Sequence, residues 1–134
     1  MLESILFIDD DPITLMLCKM VISKSLFSKE IATAKNGEVA LQYFNKLKQV
    51  NTNSKFTKPQ LIFLDLNMPV MGGWEFLDSF STADYSDYNK TKVIILSSTI
   101  DPGDLEKSKK YPMVIDFLSK PISKEMLEYI KGII

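Results

Sequence analysis

The chain has 134 residues, 46% of them hydrophobic and 25% charged, enough to bury a core as one domain without disulfide or metal staples. Its 16 basic and 17 acidic residues leave a net charge of −1, which offers no field for nucleic acid or an anionic membrane. Histidine is absent, so a Ser-His-Asp triad, an imidazole metal site and a phosphohistidine carrier are all excluded.

The N-terminus reads MLESILFIDDDP. Its apolar run is too short for a secretion signal and meets acids at once, and no window approaches a membrane span. The single cysteine, Cys18, permits no intrachain disulfide and fits a reducing compartment, so a cytoplasmic protein is expected.

In chain order, Ser4–Ile8 predicts the first strand, and Pro12 behind an Asp11 cap opens the first helix. Glu30–Ala34 predicts the second strand. Asn36 caps a helix in which Val39, Ala40, Tyr43, Phe44 and Leu47 repeat at helical spacing. Gln60–Leu64 is the third strand, Gly73–Phe80 a short helix, Lys92–Leu96 the fourth strand and Asp101–Tyr111 a helix. Val114–Leu118 and Ser123–Ile133 complete the pattern as strand and helix. The runs ILFI, LIFL and VIIL are continuously apolar, as parallel strands covered on both faces require. Strand and helix alternating five times over make a doubly wound α/β sheet. The stretches 50–59 and 81–91 exceed usual connections and are expected as surface loops within one domain.

Open α/β sheets bind ligands beyond the carboxyl ends of their strands. The first strand delivers Asp9, Asp10 and Asp11 there, and the third delivers Asp65 followed by Leu66, Asn67, Met68 and Pro69. The fourth delivers Ser97, Ser98 and Thr99, the fifth Lys120 and Pro121, and the second only Lys35 and Asn36. Any one of these has an ordinary explanation: DD after a strand is usually a turn and cap, Lys-Pro a turn. Their convergence on one edge has a chemical one. Several carboxylates together repel and invite a hard divalent cation such as Mg²⁺. That cation, Lys120 and the Ser97 hydroxyl could together neutralise a phosphoryl group moving onto a carboxylate.

FIDDDP, LDLNMPVMGGWEF, ILSST and FLSKP, in this order, resemble the four motifs of the response-regulator receiver domain. The resemblance covers nearly the whole chain. It implies a CheY-like, flavodoxin-like fold: a five-stranded parallel sheet of order 2-1-3-4-5 with five helices. It also implies a phosphorelay switch rather than an enzyme, taking its phosphoryl group from a sensor histidine kinase or a histidine-phosphotransfer protein. By matching position, Asp65 would be the phosphoacceptor, Asp10 a direct Mg²⁺ ligand, Asp9 a ligand mostly through water and the Asn67 backbone carbonyl a third ligand. Ser97 would be the switch hydroxyl, Lys120 the invariant lysine with a cis bond to Pro121, and Phe117 the mobile aromatic. Gly72–Gly73 stands where the family often has Asp-Gly or Asn-Gly, and is expected to keep the backbone freedom needed there. Tyr111–Pro112–Met113 replaces a usual Gly-Ala, a departure that bears on the end of the fourth helix. Phe117 lacks the hydroxyl of the tyrosine found in chemotaxis-type receivers.

Two other readings fail on single residues. A haloacid-dehalogenase-like phosphatase needs a second Asp as general acid two residues after the nucleophile, where this chain has Asn67. A flavodoxin-like FMN binder needs a Ser/Thr/Gly phosphate loop where this chain has Asp9–Asp11. No output domain follows Ile134, so a single receiver spanning 1–134 is expected, acting on a protein target and not on DNA or a membrane.

The first helix is apolar on two sides. At 100° per residue Ile13, Met16, Leu17, Met20 and Val21 share one face and are expected to cover the sheet. Leu15, Cys18 and Ile22 lie roughly opposite. Either the fifth helix, through Tyr129 and Ile133, half covers them, or they form a docking stripe for the helical domain of a phosphodonor.

Overall fold

The structure, a computed structural model, describes residues 1–49, 58–88 and 90–134. Five strands form one sheet: β1 (Leu2–Ile8), β2 (Ser28–Ala34), β3 (Leu61–Leu64), β4 (Lys92–Ser97) and β5 (Val114–Ser119). Their order is β2-β1-β3-β4-β5 with every pairing parallel, as expected for a sheet reached through crossover helices. The helices are α1 (Pro12–Lys24), α2 (Gly37–Gln49), α3 (Gly73–Phe80), α4 (Pro102–Ser108) and α5 (Lys124–Ile133). None among the described residues is long and apolar enough to cross a membrane.

The two-residue side-chain period of a strand divides the core in two. Ile5, Phe7, Leu61, Phe63, Ile94 and Leu96 face α1 and α5, where Cys18, Ile22, Leu127 and Ile130 meet them. Leu6, Ile8, Ile62, Leu64, Val93 and Ile95 face the other way, onto Ala40 and Phe44 of α2 and Phe76, Leu77 and Phe80 of α3. Each such side chain contributes about 1.5–3 kcal/mol by leaving water.

Helix starts follow their caps. The Asp11 carboxylate accepts the Ile13 N–H at 3.0 Å, with Pro12 at the first helical position. Asn36 Oδ1 accepts the Val39 N–H at 2.9 Å, and Asp101 and Ser123 cap α4 and α5. α4 is shorter than expected: after Ser108 the chain tightens into turns, with Lys110 and Tyr111 bonding back three residues, ahead of Pro112. The expected loop over 50–59 lies mostly outside the described residues. The segment 81–91 is more than a surface loop, because Ala83–Tyr88 is a 3₁₀ turn that buries Tyr88 against Phe44 and Phe80.

The orientation of α1 corrects the expectation. Cys18 and Ile22 are buried and Leu15 is half-buried against the α1/α5 core, so these three form no docking stripe. Ile13, Met16, Leu17 and Met20 face solvent instead. The charged side chains decide it: Lys19 and Lys24 fall on the side of Met16 and Met20, and turning that side inward would strand two ammonium groups in the core. Ile22→Ala should therefore cost roughly 2–5 kcal/mol of unfolding free energy, whereas Met16→Ala should stay within about 0.5 kcal/mol. Urea unfolding of both variants checks this, and equal losses would contradict the orientation.

Candidate functional site

Backbone hydrogen bonds set the site before any side chain takes part. Ile8 pairs with Leu64 across β1 and β3, which brings Asp9 and Asp65, one residue further on, side by side. The Asp65 N–H then donates to the Ile8 carbonyl at 2.9 Å, and the Asp9 N–H to the Ala34 carbonyl at 3.0 Å. Ser97 pairs with Ser119 on β5, and the Lys120 N–H donates to the Ser97 carbonyl at 2.8 Å. Each of these groups thus extends a ladder by one residue beyond its strand.

One carboxylate oxygen from each of Asp9, Asp10 and Asp65 lies within 4.8 Å of the others. Asp9 and Asp65 are buried and Asp10 is exposed. Lys120 Nζ reaches between them, 2.6 Å from Asp9 Oδ2 and 3.3 Å from Asp65 Oδ1. Asp9 also accepts the Asp11 N–H at 3.0 Å, and the Lys120–Pro121 bond is cis. Burial pushes the Asp65 carboxyl above its ordinary pKa; the Lys120 ammonium pulls it down, and the charges of Asp9 and Asp10 push it up again. For Lys120, burial alone would lower the pKa, but the Asp9 hydrogen bond and the Asp65 charge outweigh it and the ammonium is held above its ordinary value.

Three carboxylates against one ammonium leave an excess of two negative charges, the charge of one divalent cation. An all-oxygen set with one member open to solvent suits Mg²⁺, which prefers one or two carboxylates and retains water. The residues present fit that ion.

The other expected residues are placed as follows. Ser97 is buried at the end of β4, and Asn67 is exposed two residues past Asp65. Phe117 is 6% exposed and packs in the α2/α3 core, paired across the ladder with Ile95.

Three features of the β3–α3 connection escape the sequence. Neither Gly72 nor Gly73 uses a positive φ, so the expectation of conformational freedom is not met there. Gly73 is required for space: a Cβ would lie 2.7 Å from the Asp65 carbonyl oxygen and 2.9 Å from Leu66 Cα. The positive φ belongs to Val70, at 72°. The Met71 N–H donates to the Pro69 carbonyl at 2.9 Å, which closes a γ-turn around Val70. Met71 is tied in turn to α2, since its carbonyl accepts the Gly37 N–H at 2.9 Å and its side chain fills the space where a Gly37 Cβ would stand. A β-branched residue in this region is strained, and its neighbours on both sides hold it there.

A five-stranded 2-1-3-4-5 parallel sheet with an acidic, lysine-bridged pocket at its carboxyl edge defines the CheY-like class. Comparison with known proteins gives the family. The family model described as response regulator receiver domain matches residues 5–130, and the chain belongs to that family, a receiver domain of two-component signalling. A two-component response regulator from Cytophaga hutchinsonii is 31% identical with a TM-score of 0.86, over 98% of this chain and 95% of that one. The 3',5'-cyclic-nucleotide phosphodiesterase regA of Dictyostelium discoideum is 29% identical over 92% of this chain and 14% of its own length. A protein-glutamate methylesterase/protein-glutamine glutaminase from Methanococcoides burtonii is 26% identical over 95% of this chain and 32% of its own length. The chain therefore spans between a seventh and a third of these two curated relatives. Receiver domains interact with histidine kinases or phosphotransfer proteins and with downstream targets.

Val70→Gly should raise stability by about 1 kcal/mol: strain relief of roughly 1–3 kcal/mol, less up to about 1 kcal/mol for the extra freedom of glycine in the unfolded chain. The thermal midpoint should rise by roughly 2–6 °C. A lower midpoint would mean that the turn stores no strain.

Proposed function

We propose that Asp65 is the phosphoacceptor of a Mg²⁺-dependent switch. The observation that carries this reading is Lys120 Nζ lying between Asp9 and Asp65, at 2.6 and 3.3 Å, within a cluster of three carboxylates. An Asp65 carboxylate oxygen attacks the phosphorus of a donor's phosphohistidine. The P–N bond breaks, the imidazole leaves with the electron pair and gains a proton, and an acyl phosphate remains on Asp65. Lys120, which stays protonated, and the Ser97 hydroxyl stabilise the negative charge on the phosphoryl oxygens. When bound by Asp9, Asp10, Asp65 and the Asn67 carbonyl, Mg²⁺ neutralises the carboxylates and supplies further positive charge for those oxygens. A sensor histidine kinase or histidine-phosphotransfer protein is the donor and a protein the target. The chain is a signalling switch rather than a turnover enzyme, and a single unpaired cysteine suits a cytoplasmic setting.

Incubation with acetyl phosphate and Mg²⁺ should add one phosphoryl group by intact mass, and the gain should vanish in Asp65→Asn and in EDTA. A gain that survives either condition would move the acceptor elsewhere.

Phosphorylation adds roughly −1.5 to −2 charge units at this edge, and Ser97 is the β4 hydroxyl placed to follow it. Phe117 is buried and has no hydroxyl to hold it outward, so the switch shifts an existing equilibrium toward the packed state. On adding beryllofluoride and Mg²⁺, amide NMR shifts should run from Ser97 through β5 to Phe117. Shifts confined to Asp9, Asp10 and Asp65 would break the proposed link.

A further inference from the structure

At the edge of the sheet opposite Asp65, a cavity of about 480 Å³ opens between the segment entering β3 and the segment entering β4. Lys58 lines it from the first segment and Lys90 and Lys92 from the second, with Asp87 beside them. We propose that this cavity binds a small organic phosphate of the size of a nucleoside monophosphate. Three ammonium groups against one carboxylate leave an excess of two positive charges, which a phosphate monoester of roughly −1.5 to −2 charge units neutralises. Among the described residues none of the three lysines is in an ion pair. Lys58 does not simply trail into solvent, because its Nζ lies 5.5 Å over the ring of Tyr88, itself part of the cavity wall.

Volume and lining narrow the ligand. Sites for small molecules span about 300–1,000 Å³, so the cavity has room for an organic body beside the phosphate. Leu2, Pro59 and Ile134 give that body an apolar seat. The walls are already built. The Thr91 hydroxyl donates to the Pro59 carbonyl at 2.9 Å and the Thr91 N–H to the Tyr88 carbonyl at 3.0 Å, while the Lys92 N–H donates to the Gln60 carbonyl at 3.2 Å. These bonds tie the two lysine-bearing segments together, so binding has little backbone to order. Gln60 and Asp65 flank β3 at its two ends, roughly 16 Å apart along the strand. The ligand and a phosphoryl group on Asp65 therefore occupy separate places.

The test is an amide NMR titration of the whole chain with adenosine 5′-monophosphate in EDTA. Without a divalent cation the carboxylates around Asp65 repel the phosphate, so that edge does not compete. Shifts should saturate at Leu2, Gln60, Tyr88, Thr91 and Lys92, with a midpoint below about 1 mM. Adenosine should produce none, and inorganic phosphate should bind at least about ten-fold more weakly, as expected when the apolar contacts are lost. Lys58→Gln with Lys90→Gln keeps most of the side-chain volume and removes two charges, and should weaken the nucleotide about ten-fold or more. Its thermal midpoint should stay that of the unmodified chain, since both side chains are exposed. Should the double variant lose stability, Lys90→Gln alone decides. The proposal is overturned if the shifts do not saturate or fall at Asp9 and Asp65 instead. It is equally overturned if the variant binds as the unmodified chain does, or if adenosine or inorganic phosphate binds as well as the nucleotide.

Discussion

Like charges held close together have to be held by something, and here the restraint is the sheet ladder. Asp9, Asp65 and Lys120 each sit one residue past the end of a strand, and each donates its backbone N–H to the last residue of a neighbouring strand. Those bonds belong to a sheet packed on both faces, so relaxing the carboxylate repulsion would mean unzipping a buried ladder. The site spends stability and the two cores supply it, the usual relation between a functional edge and its scaffold. Burial then works against ionisation of Asp65 while the bridging ammonium favours it, so the Asp65 charge rests on Lys120.

From Asp65, contacts lead into the fold along two lines. On one side β4 and β5 carry Ser97 and Phe117, joined through the Lys120–Ser97 backbone bond and the Ile95–Phe117 pair. On the other, α3 begins against the Asp65 carbonyl at Gly73. Trp74 then stacks on Tyr111, with ring centroids 5.7 Å apart, and Lys107 of α4 lies 4.7 Å over the Trp74 ring. The Tyr111 hydroxyl donates to Asp78 of α3 at 2.6 Å, which fastens α3 to the α4–β5 connection a second time.

The strands and the reactive edge were legible because both follow from short-range rules: continuous apolar runs mark doubly covered strands, and a residue just past a strand end has few places to go. The face of α1 was misread. Eight of its 13 residues are apolar, so hydrophobic periodicity hardly distinguishes its sides. Lys19, Ser23 and Lys24, which share the side of Met16 and Met20, held the answer. The double glycine was taken for conformational freedom when the need was for room beside a carbonyl, a tertiary contact with no local signature. Val70 could not have been found at all, because a β-branched residue argues against a positive φ and only its anchored neighbours impose one. Tyr88 escaped for a similar reason: its burial depends on Phe44, far away in the chain.

The three consecutive aspartates after β1 look redundant in the sequence and are not. Asp9 is buried in the lysine pair, Asp10 faces solvent at the pocket, and Asp11 caps α1 while also bonding the Thr14 hydroxyl at 2.9 Å. Identical side chains thus do different work because the backbone turns between them. Losing or gaining one aspartate would leave composition and charge almost unchanged, yet every member of the trio would shift into its neighbour's environment, and either the pocket or the helix cap would go unfilled. This segment should therefore tolerate length variation poorly.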